Sequence, residues 1–293
     1  MGKITVEQKQ IIEKFSCERL SSNPENKNLI KSFVSKKGSL LVGYLHDYAW
    51  DEDIEGKTAY YLVKSPENEI ALFFSLKCGA LFDPLDEKII EQNAKQLQLL
   101  LQDVQGTNKS DKGKELVAHI RESFRLGQDI PIEQIIAKIK MSAQRAREFW
   151  ESLNYDKKHE NEQIIRVGHT YPGIEIVHFC VNDLVRDKWK SFNINHPMGE
   201  VMFWKYIAPI IYEIQNSIGC QYAYLFAADT STDGILINYY EVALKFERPT
   251  NVGTNKPRYD LCCKFMCQNI NDLRKNCKEY FDNFNPDADD IIA

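Results

Sequence analysis

The stretch HPMGEVMFWKYIAPII, from His196 to Ile211, sets a proline and then a glycine before a long run of apolar residues at helical spacing. Bare N–H groups in the first turn of a helix, helped by the helix dipole, are a ready anion site. Gly199 would let a ligand come close to the backbone. Pro197 and Gly199 could equally do no more than shape the helix entry, where proline is common. Upstream, GIEIVHFCVN carries Glu175 and His178 inside a near-continuous apolar run. Such a run reads as a strand buried on both faces. The separation of three predicts that Glu175 and His178 point to opposite faces. A histidine in such a strand is ordinarily packed and hydrogen-bonded. A carboxylate is costly to bury without a use, which favours Glu175 for proton chemistry. Asp183 and Asp229, each at the C-terminal end of a strand, are further acidic candidates. Downstream, NYYEVALKF places Tyr239 and Tyr240 on an amphipathic helix, where aromatic residues usually serve the core.

Metal chemistry is not indicated. The eight cysteines are Cys17, Cys78, Cys180, Cys220, Cys262, Cys263, Cys267 and Cys277. They are too scattered for a secreted disulfide scaffold and read as buried, reduced thiols. CCKFMC lacks a paired CxxC spacing, and Cys262 and Cys263 would face opposite sides of a strand.

The elements that must position these groups follow from pattern. At 293 residues, with 43% apolar and 27% charged residues, the chain can bury a core as one large domain or two modest ones. A net charge of −5 gives no bulk drive toward nucleic acid. No apolar run reaches the length of a membrane span, and MGKITVEQKQ lacks the apolar core of a secretion signal, so the expected compartment is the cytoplasm. Residues 13–48 read as a short strand and then helices, with SSNPEN a helix-start cluster. TAYYLVKSPENEIALFFSLKCGALF reads as a β-hairpin turning at SPENE. From about Leu85 to Gln163 the pattern becomes helical. Ile90, Leu97, Leu100 and Leu101 form one stripe; Ile132, Ile135, Ile136, Ile139 and Met141 form another. Breaks are expected near GTNKSDKG and GQDIP, and NYDKKHENEQ reads as an exposed connector. A helix from about Gly199 to Ile218 should be bent by Pro209. QYAYLFAA reads as a strand, GILINYYEVALKF as a helix running into a strand, RYDLCCKFMCQ as a strand and NDLRKNCKEYFDNF as a closing helix.

This order, with its two anchors, resembles the GNAT superfamily of N-acetyltransferases. In that family the fourth strand, the following loop and the third helix hold the pyrophosphate of acetyl-CoA. The loop pattern is Gln or Arg, two residues, Gly, one residue, then Gly or Ala. The matching positions here are His196, Gly199 and Val201, of which only the glycine is kept. The second anchor is a helix reading like F-Y-E-K-L-G-F. Tyr239, Tyr240, Glu241, Leu244 and Phe246 follow that outline, and Lys245 replaces the glycine. The likeness covers about Gly173 to Gln268 and the hairpin, but not the helical insert.

The resemblance implies a GNAT-like α/β fold with a mixed, mostly antiparallel central sheet flanked by helices. Residues 1–84 and 164–293 would form the acetyltransferase-like domain and 85–163 a helical insertion. It implies acetyl transfer from acetyl-CoA to an amine of a small molecule or protein. Tyr240 would be the general acid, since a phenol matches a thiolate in basicity, with Tyr239 as its alternative, and Glu175 would be the base. Phe179, Cys180 and Val181 would line the pantetheine arm and the thioester carbonyl, much as an added strand pairs with a sheet. His196, Met198, Gly199, Glu200, Val201 and Tyr239 would hold the rest of the cofactor. Two other readings stay open: a non-catalytic CoA-binding or protein-interaction module, and an acetyltransferase acting on aminoacyl-RNA. The insert's apolar stripes offer a surface on which two copies could pair.

Overall fold

The computed structural model describes residues 2–84, 87–107, 110–123, 130–159, 167–229, 233–255 and 263–287. Cys262 and part of the RYDLCCKFMCQ segment lie outside them. The chain divides into two compact units, Met1–Asp83 with His169–Ala293, and Pro84–Gly168.

The first unit holds a six-stranded sheet whose spatial order follows the chain: β1 (Ser16–Arg19), β2 (Ala59–Lys64), β3 (Ile70–Phe82), β4 (Thr170–Val181), β5 (Tyr222–Ala227) and β6 (Lys264–Asn269). Every pairing is antiparallel except β4 with β5. The SPENE turn closes the β2–β3 hairpin. Ser65 N–H bonds Glu69 O at 2.9 Å, its hydroxyl accepts from Glu67 and Glu69 N–H, and Asn68 takes a left-handed φ of 62°. Asparagine tolerates that conformation better than most residues.

The sheet separates two cores. On one face Leu72, Phe74, Leu76, Ile174, Ile176, Ala223 and Leu225 share a buried cluster with Phe203, Trp204, Ile207 and Leu273. On the other, Tyr60, Leu62, Phe73 and Cys180 pack with Leu20, Ile30, Phe33, Leu45 and Ala49. Helices α1 (Val6–Glu13), α2 (Asn26–Leu29), α3 (Ser39–Asp47) and α4 (Ala49–Ile54) occupy the N-terminal part.

One irregularity overturns the expected facing of Glu175 and His178. Opposite β3, His178 pairs with Ser75 but Ile176 pairs with Leu76, so Val177 is an extra residue in β4. A bulge of this kind shifts the alternation by one. Ile174 and Ile176 lie in the first core while His178 packs against Tyr60 and Phe73 of the second. Glu175 and His178 therefore share a face.

After β4 the chain forms α8 (Asp183–Ser191), α9 (Met198–Met202), a π-helical turn over Phe203–Ile207 and α10 (Ala208–Ile218). The predicted bend near Pro209 appears as this π turn. Proline has no N–H to continue the ladder, and a wider turn relieves the mismatch. α11 (Ile235–Val242) and α12 (Ile270–Phe284) complete the unit. The strand expected after α11 is reduced to one bridge, Glu247 with Cys267.

The second unit contains α5 (Glu87–Thr107), α6 (Asp111–Ser123) and α7 (Ile132–His159). Val104, Val117, Ile120, Ile135 and Ile139 form its buried cluster. Met141, expected in that stripe, is exposed. The expected connector begins as helix, because α7 runs on through Asn154 to His159; the rest of it lies outside the described residues. No helix among the described residues is long and apolar enough to cross a membrane.

Candidate active site

β4 and β5 start as partners and then part. They pair from Gly173 with Tyr222 to Ile176 with Leu225, yet β4 continues to Val181 and β5 to Ala227. The helical segments that follow these two strands supply the remaining candidate residues. Pro197 caps α9 without any side-chain bond to the first turn. Met198, Gly199, Glu200 and Val201 are all buried there, and the intrahelical ladder begins with Val201 N–H to Pro197 O at 3.1 Å.

Gly199 is the meeting point. A Cβ added to it would lie 3.2 Å from the Tyr239 hydroxyl, 3.3 Å from Val181 and 3.5 Å from the Phe179 ring. A glycine thus lets helix, strand and α11 close on one another without pressing on a neighbour. Phe179, Val181, Gly199 and Tyr239 come together here. Cys180 points the other way, into the core with Phe33 and Phe73.

α11 is fixed at both ends. The Asp229 carboxylate accepts from Leu236 N–H at 2.8 Å and Ile237 N–H at 3.0 Å. That is the geometry of a cap, with a negative charge at the positive end of the dipole. At the other end the Trp204 indole N–H bonds Ala243 O at 3.2 Å. The helix then stops in a left-handed turn: Lys245 has φ 61°, Phe246 N–H bonds Tyr240 O at 2.9 Å, and the two rings lie 6.3 Å apart. A positive φ at this position favours glycine, which is what the family pattern carries there.

Tyr240 is 8% exposed, and its ring lies 5.8 Å from that of Tyr239. Its hydroxyl has no hydrogen-bond partner among the described residues. Burial pushes the phenol of Tyr240 far up, with the nearby Cys180 thiol adding to the effect; burial does the same to Tyr239. Both stay protonated and able to donate.

The first turn of α9 also carries features that the loop pattern did not foretell. Both His196 nitrogens are engaged, Nε2 with Gly2 O at 3.1 Å and Nδ1 with the Tyr280 hydroxyl at 3.4 Å. Glu200 lies 3.8 Å from that imidazole, and its Oε2 is buried without a hydrogen-bond partner among the described residues. Burial raises the Glu200 carboxyl, with His196 pulling it back. A raised carboxyl means that the folded state holds a proton the unfolded chain gives up near pH 4.5, so stability falls as pH rises through that window. Glu200→Gln needs no such proton. Urea unfolding should find it and the parent alike near pH 4, with the variant ahead by about 1 kcal/mol at pH 7.5; a parent that leads at pH 7.5 would refute this.

Glu175 is buried and accepts from the Tyr224 hydroxyl at 3.4 Å. His178 bonds Ser75 Oγ through Nδ1 at 2.7 Å. Burial holds that imidazole down at about 4, against the pull of the Glu52 charge. Ser75 was not anticipated, although a lone hydroxyl inside IALFFSLKC was a visible signal. Asp183 takes the Lys36 N–H at 2.7 Å and ties a loop to the end of β4. A surface cavity of about 340 Å³, lined by residues such as Asn26, Leu29, Lys64 and Asn68, shares no residue with this site.

The arrangement suits acetyl-CoA in part. The first turn of α9 has no side-chain cap, β4 runs on past its pairing with β5, and a phenol stands nearby. The Glu200 carboxyl beside the turn would be tolerated by a diphosphate only in its neutral form, which burial favours.

No protein-family model matches this chain, and no curated protein matches it. Among solved structures it is similar to a mutant of the AtaT toxin, at 7% identity over 94% of this chain and 96% of that one, with a TM-score of 0.44. It is also similar to AtaTR bound with AcCoA, at 8% identity over 90% and 98%, with a TM-score of 0.46. A further similar structure is AtaT complexed with acetyl-methionyl-tRNAfMet, at 7% identity over 89% and 98%, with a TM-score of 0.42. The sheet itself, with one parallel pair that parts and the helical segments α8 to α10 crossing between its strands, is the mixed, mostly antiparallel, helix-flanked sheet expected of a GNAT-like fold.

Proposed function

We propose that the protein is an N-acyltransferase that takes an acetyl group from acetyl-CoA and passes it to an amine. One observation carries this reading: the glycine turn of α9 and the tyrosine pair of α11 meet beside the end of β4, where β4 has left β5. When bound, acetyl-CoA supplies an acetyl carbon already activated as a thioester. The amides of Met198, Gly199 and Glu200 would hold its diphosphate. The backbone of Phe179–Val181 would pair with the pantetheine arm and steady charge on the carbonyl oxygen. Tyr240 would give its proton to the departing sulfur, a task for which a protonated, unbonded phenol is suited. Glu175 and His178, brought to one face by the bulge, are the two groups able to take the amine's proton.

A second reading has its own support. Gly199 already has a packing reason, and His196 is bonded within the chain at both nitrogens. Both facts suit a non-catalytic module whose loop no longer serves a cofactor. Calorimetric titration with acetyl-CoA separates the two. The acyltransferase reading expects a Kd in the micromolar range, about −8 kcal/mol. Affinity no tighter than millimolar would favour the module.

A further inference from the structure

His178 is built into its place more carefully than a filler of the core requires. Its Nδ1 is bonded to Ser75 Oγ at 2.7 Å. Its ring is stacked on Tyr60 at 5.5 Å and 22°, and lies 5.2 Å from Tyr44 and 6.3 Å from Phe73. Tyr60 is itself held, its hydroxyl donating to Glu52 Oε2 at 2.9 Å. Orientation and tautomer of an imidazole follow from the bond its other nitrogen makes. Here Nδ1 is engaged, and Nε2 has no hydrogen-bond partner among the described residues. Two residues along the same face, Cys180 packs with Phe33 and Phe73. A free imidazole nitrogen thus stands on β4 one residue before Phe179, whose ring borders the Gly199–Tyr239 meeting point. Glu175 is committed instead to Tyr224.

On the acyltransferase reading, we propose that His178 Nε2 takes the proton of the acceptor amine and that Ser75 is its positioning residue. A bond forms between the amine nitrogen and the thioester carbon, and the carbon–sulfur bond breaks. One nitrogen-bound proton passes to His178 Nε2, and the sulfur takes a proton from Tyr240. Exchange with solvent restores both groups, so an amine and a thioester become an amide and a thiol. An imidazole of low basicity suffices for this step, because the nitrogen turns positive and far more acidic as it bonds to carbon. The groups facing the ring are Tyr44 of α3, Glu52 of α4, Tyr60 of β2 and Ser75 of β3. Three tyrosines with a carboxylate among them, Tyr48 tilted at 49° against Tyr44 with the rings 5.2 Å apart, suit an amine that arrives as a cation and gives its first proton to solvent before it attacks.

The test uses the full chain. Binding of acetyl-CoA is measured first; a wild-type chain that binds none defeats the acyltransferase reading itself, whatever His178 does. Turnover is then followed with acetyl-CoA and three probe amines, spermidine, tyramine and lysine methyl ester. His178→Gln should lose at least 100-fold in kcat and Ser75→Ala about 10-fold, with KM and acetyl-CoA affinity nearly unchanged and Ser75→Thr restoring most of the loss. Full turnover in His178→Gln overturns the inference. Peptide-level diethylpyrocarbonate labelling at pH 5.5 gives an answer independent of the acceptor. His178, still neutral there, should label faster than a surface histidine, and an unlabelled His178 overturns the inference even if no probe amine reacts.

Discussion

Tyr240→Phe should cut turnover by about 100-fold or more while leaving acetyl-CoA affinity and fold stability almost untouched. The two halves of this expectation come from one fact. The Tyr240 hydroxyl makes no hydrogen bond within the described chain, so its removal leaves no partner orphaned and opens no sizeable void. The ring contacts with Tyr239 and Phe246 stay. Only a proton is lost, one that on the proposed acyltransferase reading matters when a thiolate leaves. Steady-state kinetics, calorimetry and thermal melts on the same preparation check all three quantities. Equal turnover in the variant would remove Tyr240 from the chemistry and pass the role to Tyr239, whose hydroxyl lies against Gly199.

Trp204→Ala should be the costliest single change in stability near the site, about 3–5 kcal/mol. Trp204 is 1% exposed, among the largest fully buried side chains. Its ring meets Phe203 at 5.0 Å and Tyr280 at 5.7 Å, its indole N–H bonds Ala243 O, and its carbonyl accepts from the Cys277 thiol at 3.3 Å. Truncation would leave a cavity where α9, α11 and α12 converge. Denaturant unfolding should show the midpoint fall with little change in slope. Activity should drop with it, because the last turn of α11 loses its anchor. A loss below about 1 kcal/mol would mean that the neighbouring rings close over the gap.

How far the sequence could be read depended on periodicity. The hairpin, the apolar strand with Glu175 and the stripes of the insert announce themselves by alternation or helical spacing, and each is an element of the structure. The parity of β4 did not announce itself. A single extra residue, Val177, turns His178 toward the same side as Glu175, and no local composition marks such a bulge. The Ser75–His178 bond joins residues 103 positions apart, so no window along the chain could show it. The first six residues of the connector predicted at NYDKKHENEQ are helix instead, for the opposite reason. Polarity was read as irregularity, but lysine and glutamate are good helix formers and α7 simply continues. At His196 the residue was found and its partners were not, because Gly2 and Tyr280 reach it from the two ends of the chain.

Asp229 grips the first turn of α11 and Trp204 its last. A helix pinned at both extremities behaves as a fixed jaw, not a swinging gate. The phenols it bears should keep one attitude whatever lodges beside them, so tolerance for acceptors of different size would have to be found in the opposing wall, among the short helices that precede the hairpin.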